Sequence, residues 1–166
     1  MHTYQSLINE ALETVAEIFP WDLEDSLGID EKPLIVDIRE PAKFDLGHIK
    51  GSLHVPRGQL EGACEWNYLE TEPELVTARE RQVILVCCSG RRSALAARTM
   101  MSMGYRDVKS LKTGIKGWND ADLPLVDARG ASVDADELDE TLSKPIPPEK
   151  LAPGKSAHTG KSAGVD

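Results

Sequence analysis

Cys87 closes an apolar run, Val83-Ile-Leu-Val86, and opens a short polar loop, Cys87-Cys-Ser-Gly-Arg-Arg92, ahead of an alanine- and methionine-rich segment at 93–103. A strand, a tight loop and a helix start in that order build an anion site. The loop amides and the first free N–H groups of the helix converge there, and the helix dipole favours negative charge. A cysteine at the mouth of such a bowl is expected to be held as a thiolate by those amides and by Arg91 and Arg92. Gly90 lets the loop curl with its N–H groups inward. Cys87 is thus the candidate nucleophile, and Cys88, Ser89, Gly90, Arg91 and Arg92 are the candidates for binding its substrate. Asp37 and Arg39, at the end of the apolar run 34–38, are expected on the same edge, to bind substrate or to hold the loop.

Loop length narrows the reaction. Phosphatases and arsenate reductases built on this architecture need Cys-x5-Arg, a seven-residue bowl around a tetrahedral oxyanion. Six residues beyond Cys87, Cys88 and Cys64 stand Ser93, Ala94 and Glu70, so none of the three cysteines makes that pattern. Cys87 to Arg92 is Cys-x4-Arg, a tighter bowl suited to a single sulfur atom. The adjacent Cys88 leaves two roles open: a small residue in the loop wall, or a partner that resolves Cys87 through a strained vicinal disulfide.

Cys87-Cys-Ser-Gly-Arg-Arg-Ser93 resembles the active-site loop of the rhodanese family of sulfurtransferases, Cys-x-x-Gly-x-Arg-Ser. Two further stretches agree. Residues 36–56 hold Asp-x-Arg, Gly-His-Ile-x-Gly and a closing Pro56; residues 113–124 resemble the family's downstream Gly-Gly-x-x-x-Trp and Gly-x-Pro segment. The departures are Thr113 for the first glycine of that segment and Asp122 for the last. The resemblance implies a persulfide cycle in which Cys87 takes sulfur from a thiosulfate-like donor and passes it to cyanide, a thiol or a protein. It also implies that Arg92 fixes the loop through nearby acids and that Arg91 faces the incoming dianion. Other readings are a catalytically idle copy of the fold used for protein binding, and a redox pair of Cys87 with Cys88.

The totals suit a single globular domain. The chain has 166 residues, 40% apolar and 28% charged, with a net charge of −9. That charge argues against a nucleic-acid binder. Three cysteines make no disulfide framework, the first residues carry no basic signal-like region, and no apolar run is long enough for a membrane span, so a cytoplasmic protein is expected. Adjacent cysteines without a second Cys-x-x-Cys or a spaced His pair are no metal site, and no glycine-rich nucleotide fingerprint appears, so no cofactor is expected.

Apolar spacing at Leu7, Ile8, Ala11, Leu12, Val15, Ala16 and Phe19 predicts one amphipathic helix ended by Pro20. Breaker-bounded runs predict buried strands at 34–38, 52–55, 83–86 and 107–111. Helical segments between them, at 42–46, within 61–80 and at 93–103, give alternating β and α elements, hence an open parallel sheet flanked by helices. Residues 1–30 are expected as an N-terminal helical extension, 31–127 as the rhodanese-like α/β domain and 128–166 as a flexible tail, acidic and then rich in Pro, Gly and Lys. Disorder is expected from about residue 143.

Overall fold

The computed structural model describes residues 1–154. In chain order the elements are α1 (Tyr4–Leu12), β1 (Ala16–Ile18), α2 (Pro20–Ser26), β2 (Leu34–Asp37), α3 (Pro41–Leu46), β3 (Leu53–His54), α4 (Leu60–Ala63) and α5 (Pro73–Val76). They continue as β4 (Gln82–Val86), α6 (Arg91–Ser102), β5 (Asp107–Leu111), α7 (Gly114–Asp120) and α8 (Ala135–Leu142). The strands form one parallel sheet in the order β1-β5-β4-β2-β3.

The apolar runs at 34–37 and 82–86 become central strands because both faces of a parallel sheet are covered. Their side chains alternate between two cores. Leu34, Val36, Val83 and Leu85 face Ala96, Ala97 and Met100 of α6 on one side. Ile35, Ile84 and Val86 face Leu23, Ile115, Trp118 and Leu138 on the other. The chain leaves β2 toward β3 and leaves β4 toward β5, in opposite directions across the sheet. The carboxyl ends of β2 and β4 therefore flank a topological switch point, where α/β folds open a crevice. Cys87 is the residue after β4.

The N-terminal periodicity is divided between two elements. The helix stops at Leu12, and Ala16–Ile18 pairs with Lys109, Ser110 and Leu111 as edge strand β1. The spacing of Val15 and Phe19 fits a helix equally well, but β5 offers an open edge, and strand pairing satisfies its backbone groups. Residues 61–80 hold two one-turn helices, α4 and α5, in place of one longer helix.

Residues 134–142, grouped by composition with the tail, dock on the domain as α8. The Asp134 carboxylate caps the helix by accepting from the Asp136 and Glu137 amides, both at 3.0 Å. Leu138 is buried against Gly47, where an added Cβ would lie 3.1 Å from the leucine. Asn119 Nδ2 donates to the Ala135 carbonyl at 2.9 Å. The Lys116 ammonium reaches Asp139 at 3.3 Å and Asp120 at 3.5 Å. Burial pulls that ammonium down, but the two aspartates outweigh it and hold it above its ordinary range, so Lys116 keeps its charge through neutral pH and loses it only as the pH rises well into base. Of the stretch expected to be disordered from about residue 143, residues 143–154 are described, largely exposed with one 3-10 turn at Pro148–Lys150, and residues 155–166 lie outside the described residues.

Leu138→Ala is expected to cost about 2–5 kcal/mol of stability, the usual range for a truncated buried leucine. Urea denaturation measures it, and an unchanged midpoint would separate α8 from the cooperative unit.

Candidate active site

The loop after β4 lies between two helix starts. On its outer side, the Ile115 amide donates to the Cys87 carbonyl at 2.9 Å and the Lys116 amide to the Cys88 carbonyl at 3.0 Å. With its carbonyls tied to α7, the loop turns the Cys87 sulfur toward the start of α6. Gly90 makes the turn at φ +84°, and a Cβ there would come within 3.0 Å of the Leu111 oxygen and the Thr113 nitrogen. Gly114 is as tightly constrained from the other side. At φ +60°, any Cβ would overlap the Cys87 carbonyl oxygen and the Cys88 carbonyl group.

The two departures from the family pattern have a local explanation. Thr113 and Asp122 both take the left-handed conformation, at φ 65° and φ 56°, which glycine adopts at lower cost. Thr113 is exposed, and its side chain has room because it lies over Gly117, where any Cβ would overlap it. Gly114, next to it, has none and is retained.

Cys87 is 1% exposed. Its sulfur accepts from the Gly90 amide at 3.1 Å and from the Ser93 amide at 3.4 Å, and it lies 3.2 Å from the Ser93 hydroxyl. Ser93 Oγ is 2.7 Å from Ser110 Oγ, which also lies 3.3 Å from the Gly90 carbonyl. Both serines are fully buried. This pair of hydroxyls serves either protonation state. When Ser110 donates to Ser93, Ser93 donates to a thiolate; when Ser110 donates to Gly90, Ser93 is free to accept from a thiol. Ser93 stands in the loop motif itself. Ser110 is visible only through the register that sets Ser110 of β5 against Leu85 of β4.

Among the other loop candidates, Cys88 is half-buried, while Ser89, Arg91 and Arg92 are exposed. Arg91 and Arg92 form no ion pair among the described residues. The expected anchoring of the loop by Arg92 to nearby acids is therefore replaced by the α7 amides. Asp37 and Arg39 also require a correction, because they are sealed against each other and not presented to a substrate. They are 1% and 3% exposed. The Arg39 guanidinium donates to both Asp37 oxygens, at 2.8 to 3.2 Å, and to the Gly47 carbonyl at 2.7 Å. Their work is to hold the β2–α3 turn beside the loop. His54 Nε2 bonds the Arg39 carbonyl at 2.8 Å and His48 Nδ1 the Phe44 carbonyl at 2.9 Å, both structural contacts. Arg57 pairs with Glu61 at 3.0 Å.

Cys64 belongs to the opposite end of the molecule, near Tyr105. Burial pushes its thiol above the ordinary range, which leaves it inert at neutral pH.

Residues 22–121 match the family model described as the Rhodanese-like domain. The chain belongs to that family. A putative sulfur carrier protein, YrkF of Bacillus subtilis, is 31% identical over 110 residues, 66% of this chain and 54% of the relative. A sulfurtransferase of Allochromatium vinosum is 33% identical over 116 residues, 70% of this chain and 99% of the relative. The chain spans just over half of YrkF and 61% of a second Bacillus subtilis relative, the uncharacterized YqhL. Among solved structures, a Rhodopseudomonas palustris protein of unknown function, called a possible tyrosine phosphatase, superposes with TM-score 0.67 and 29% identity, covering 75% of this chain and 95% of that one. The polysulfide-sulfur transferase of Wolinella succinogenes shares the fold, with TM-score 0.58 and 23% identity over 75% of this chain and 87% of its own.

Ser110→Ala is expected to slow alkylation of Cys87 by iodoacetamide about threefold, and Ser93→Ala by at least as much, given the modest net worth of one hydrogen bond. The double variant should react no more slowly than Ser93→Ala alone, and Ser110→Thr should restore the rate. Peptide mapping should find Cys64 modified only after unfolding. An unchanged rate in Ser110→Ala would remove it from the site. Asp37→Ala is expected to destabilise the fold by about 3–5 kcal/mol, since it leaves the Arg39 charge buried and unpaired; urea denaturation reads this directly.

Proposed function

We propose that this protein is a sulfurtransferase that carries sulfane sulfur on Cys87. The observation that supports it best is the convergence of donors on the Cys87 sulfur within a Cys-x4-Arg loop. Membership of the rhodanese-like family and relatives named as sulfurtransferases agree with it. The thiolate attacks the outer sulfur of thiosulfate. A Cys87–S bond forms, the sulfur–sulfur bond of thiosulfate breaks, and sulfite leaves with the electron pair. The persulfide then gives its outer sulfur to cyanide, as thiocyanate, or to a thiolate, as a new persulfide, and Cys87 returns as thiolate.

The first N–H groups of α6 have no acceptor within the helix, so they can bind the negative charge of an outer sulfur. Arg91 and Arg92 add positive potential where a dianion enters. The name of the Rhodopseudomonas palustris neighbour does not carry over to this chain. Phosphoryl transfer needs one more loop residue than Cys87 to Arg92 provides. All three cysteines are free thiols, which suits a reducing compartment, and we place the protein in the cytoplasm. No helix among the described residues is long and apolar enough to cross a membrane.

Incubation of the reduced protein with thiosulfate, followed by intact-mass measurement, is expected to show a gain of one sulfur atom. Cys87→Ser should abolish the gain and Cys88→Ser should keep it. No adduct with thiosulfate or polysulfide would overturn the reading, whereas loss of two hydrogens on mild oxidation would favour the Cys87–Cys88 redox pair.

A further inference from the structure

A pair of exposed aromatic rings stands beside the active-site loop and has no part in the chemistry above. Ile18 lies opposite Leu111, and Leu85 opposite Ser110. Phe19, Lys112 and Cys87 are the residues that follow β1, β5 and β4, so the three stand along the carboxyl edge of the sheet. The Lys112 amide, donating to the Ile18 carbonyl at 2.9 Å, closes that edge on the β1 side. Because β5 lies between β1 and β4, Phe19 and Cys87 are separated by two strand spacings, about 10 Å across the sheet. The Phe19 ring stacks on Trp21 with centroids 4.8 Å apart and planes within 10°. Phe19 is 40% exposed and Trp21 is 53% exposed, while α2 buries Pro20 and Leu23 instead. Lys112 Nζ lies 5.0 Å from the Phe19 ring centroid.

Five surface arginines are neutralised by ion pairs, whereas the cations of this edge, like Lys32, Lys43, Lys50 and Arg129 elsewhere, are not among the described residues. Arg57, Arg79, Arg81, Arg98 and Arg106 each pair with a glutamate. Arg91, Arg92 and Lys112 form no ion pair among the described residues, and Asp22, the acid in the first turn of α2, does not reach Lys112. A rim of free cations thus borders Cys87 on a chain whose net charge is −9.

We propose that the Phe19–Trp21 pair, with Lys112, docks a protein whose reactive thiol lies on a segment flanked by carboxylates, and that this protein exchanges sulfur with Cys87. The inference rests on the sulfur-transfer reading and names its partner class. Size argues for a macromolecule, because neither thiosulfate nor cyanide spans the distance from the sulfur to the aromatic pair. Aromatic side chains of this kind supply most of the affinity at protein interfaces. On a chain of net charge −9, the cations beside Cys87 attract an acidic segment to the site and orient it there. In the exchange, the partner thiolate attacks the outer sulfur of the Cys87 persulfide. A bond forms between the partner sulfur and the outer sulfur, the Cys87–S bond breaks, and Cys87 leaves as thiolate.

The test uses the full chain loaded with thiosulfate and three acceptors: cyanide and two short peptides with a central cysteine, one flanked by glutamates and one by lysines. Transfer to the acidic peptide should exceed transfer to the basic one by about tenfold, a gap worth one close charge contact. Trp21→Ala and Lys112→Glu should each lower transfer to the acidic peptide by about fivefold or more, as interface residues do. Transfer to cyanide should stay within about twofold, since neither side chain is needed for it. Equal rates for the two peptides, or an acidic-peptide rate untouched in both variants, would overturn the proposal. So would an equal loss toward cyanide, which would make the rim part of the bowl. A wild-type chain that takes no sulfur from thiosulfate would overturn the sulfur-transfer reading and the docking proposal with it, and is told apart because cyanide then also yields nothing.

Discussion

The carbonyls of Cys87 and Cys88 are bound by the first amides of α7, and the rest of the site depends on that contact. A loop leaving a strand has two sets of backbone groups to satisfy. Here the carbonyls go outward to α7, so the amides and the sulfur turn inward to the start of α6. The contact demands that two turns touch without side chains between them. Gly90 and Gly114 meet that demand from opposite sides, each with a positive φ and no space for a Cβ. Thr113 shows the difference between conformational cost and steric exclusion, since it accepts a strained backbone where the side chain has solvent to enter.

Around this contact the sheet supplies position and the buried polar groups supply rigidity. The switch point between β2 and β4 sets the loop at the carboxyl edge of the sheet, and the Asp37–Arg39 pair fixes the turn that leaves β2. A buried ion pair is poor evidence of net stability. Its value here is geometric, because the guanidinium ties Asp37 to the Gly47 carbonyl across the turn. The same Gly47 receives Leu138 from α8, so the segment after the family match braces the domain that carries the site.

The candidate site was legible early because it is local. Cys87, Gly90 and the Cys-x4-Arg spacing lie within six residues, and a strand–loop–helix start determines where their amides point. Roles that depend on more distant partners were less legible. Asp37 and Arg39 have the residue types of a substrate site, yet their burial turns them toward each other. Arg92 has the charge to anchor the loop, yet α7 does that work. Ser110 and the Phe19–Trp21 pair enter only through strand register, which period-two patterning over three or five residues does not set.

The sequence by itself determined the candidate nucleophile, the length of its loop, the parallel α/β class and the family, since each follows from neighbours along the chain. Tertiary structure decided which polar groups reach the sulfur, where the N-terminal helix yields to an edge strand, and that residues 135–142 pack rather than trail. The physical reason is the same in each case. A short amphipathic stretch is compatible with helix, strand or solvent, and only the open edge of β5 or the gap over Gly47 selects among them.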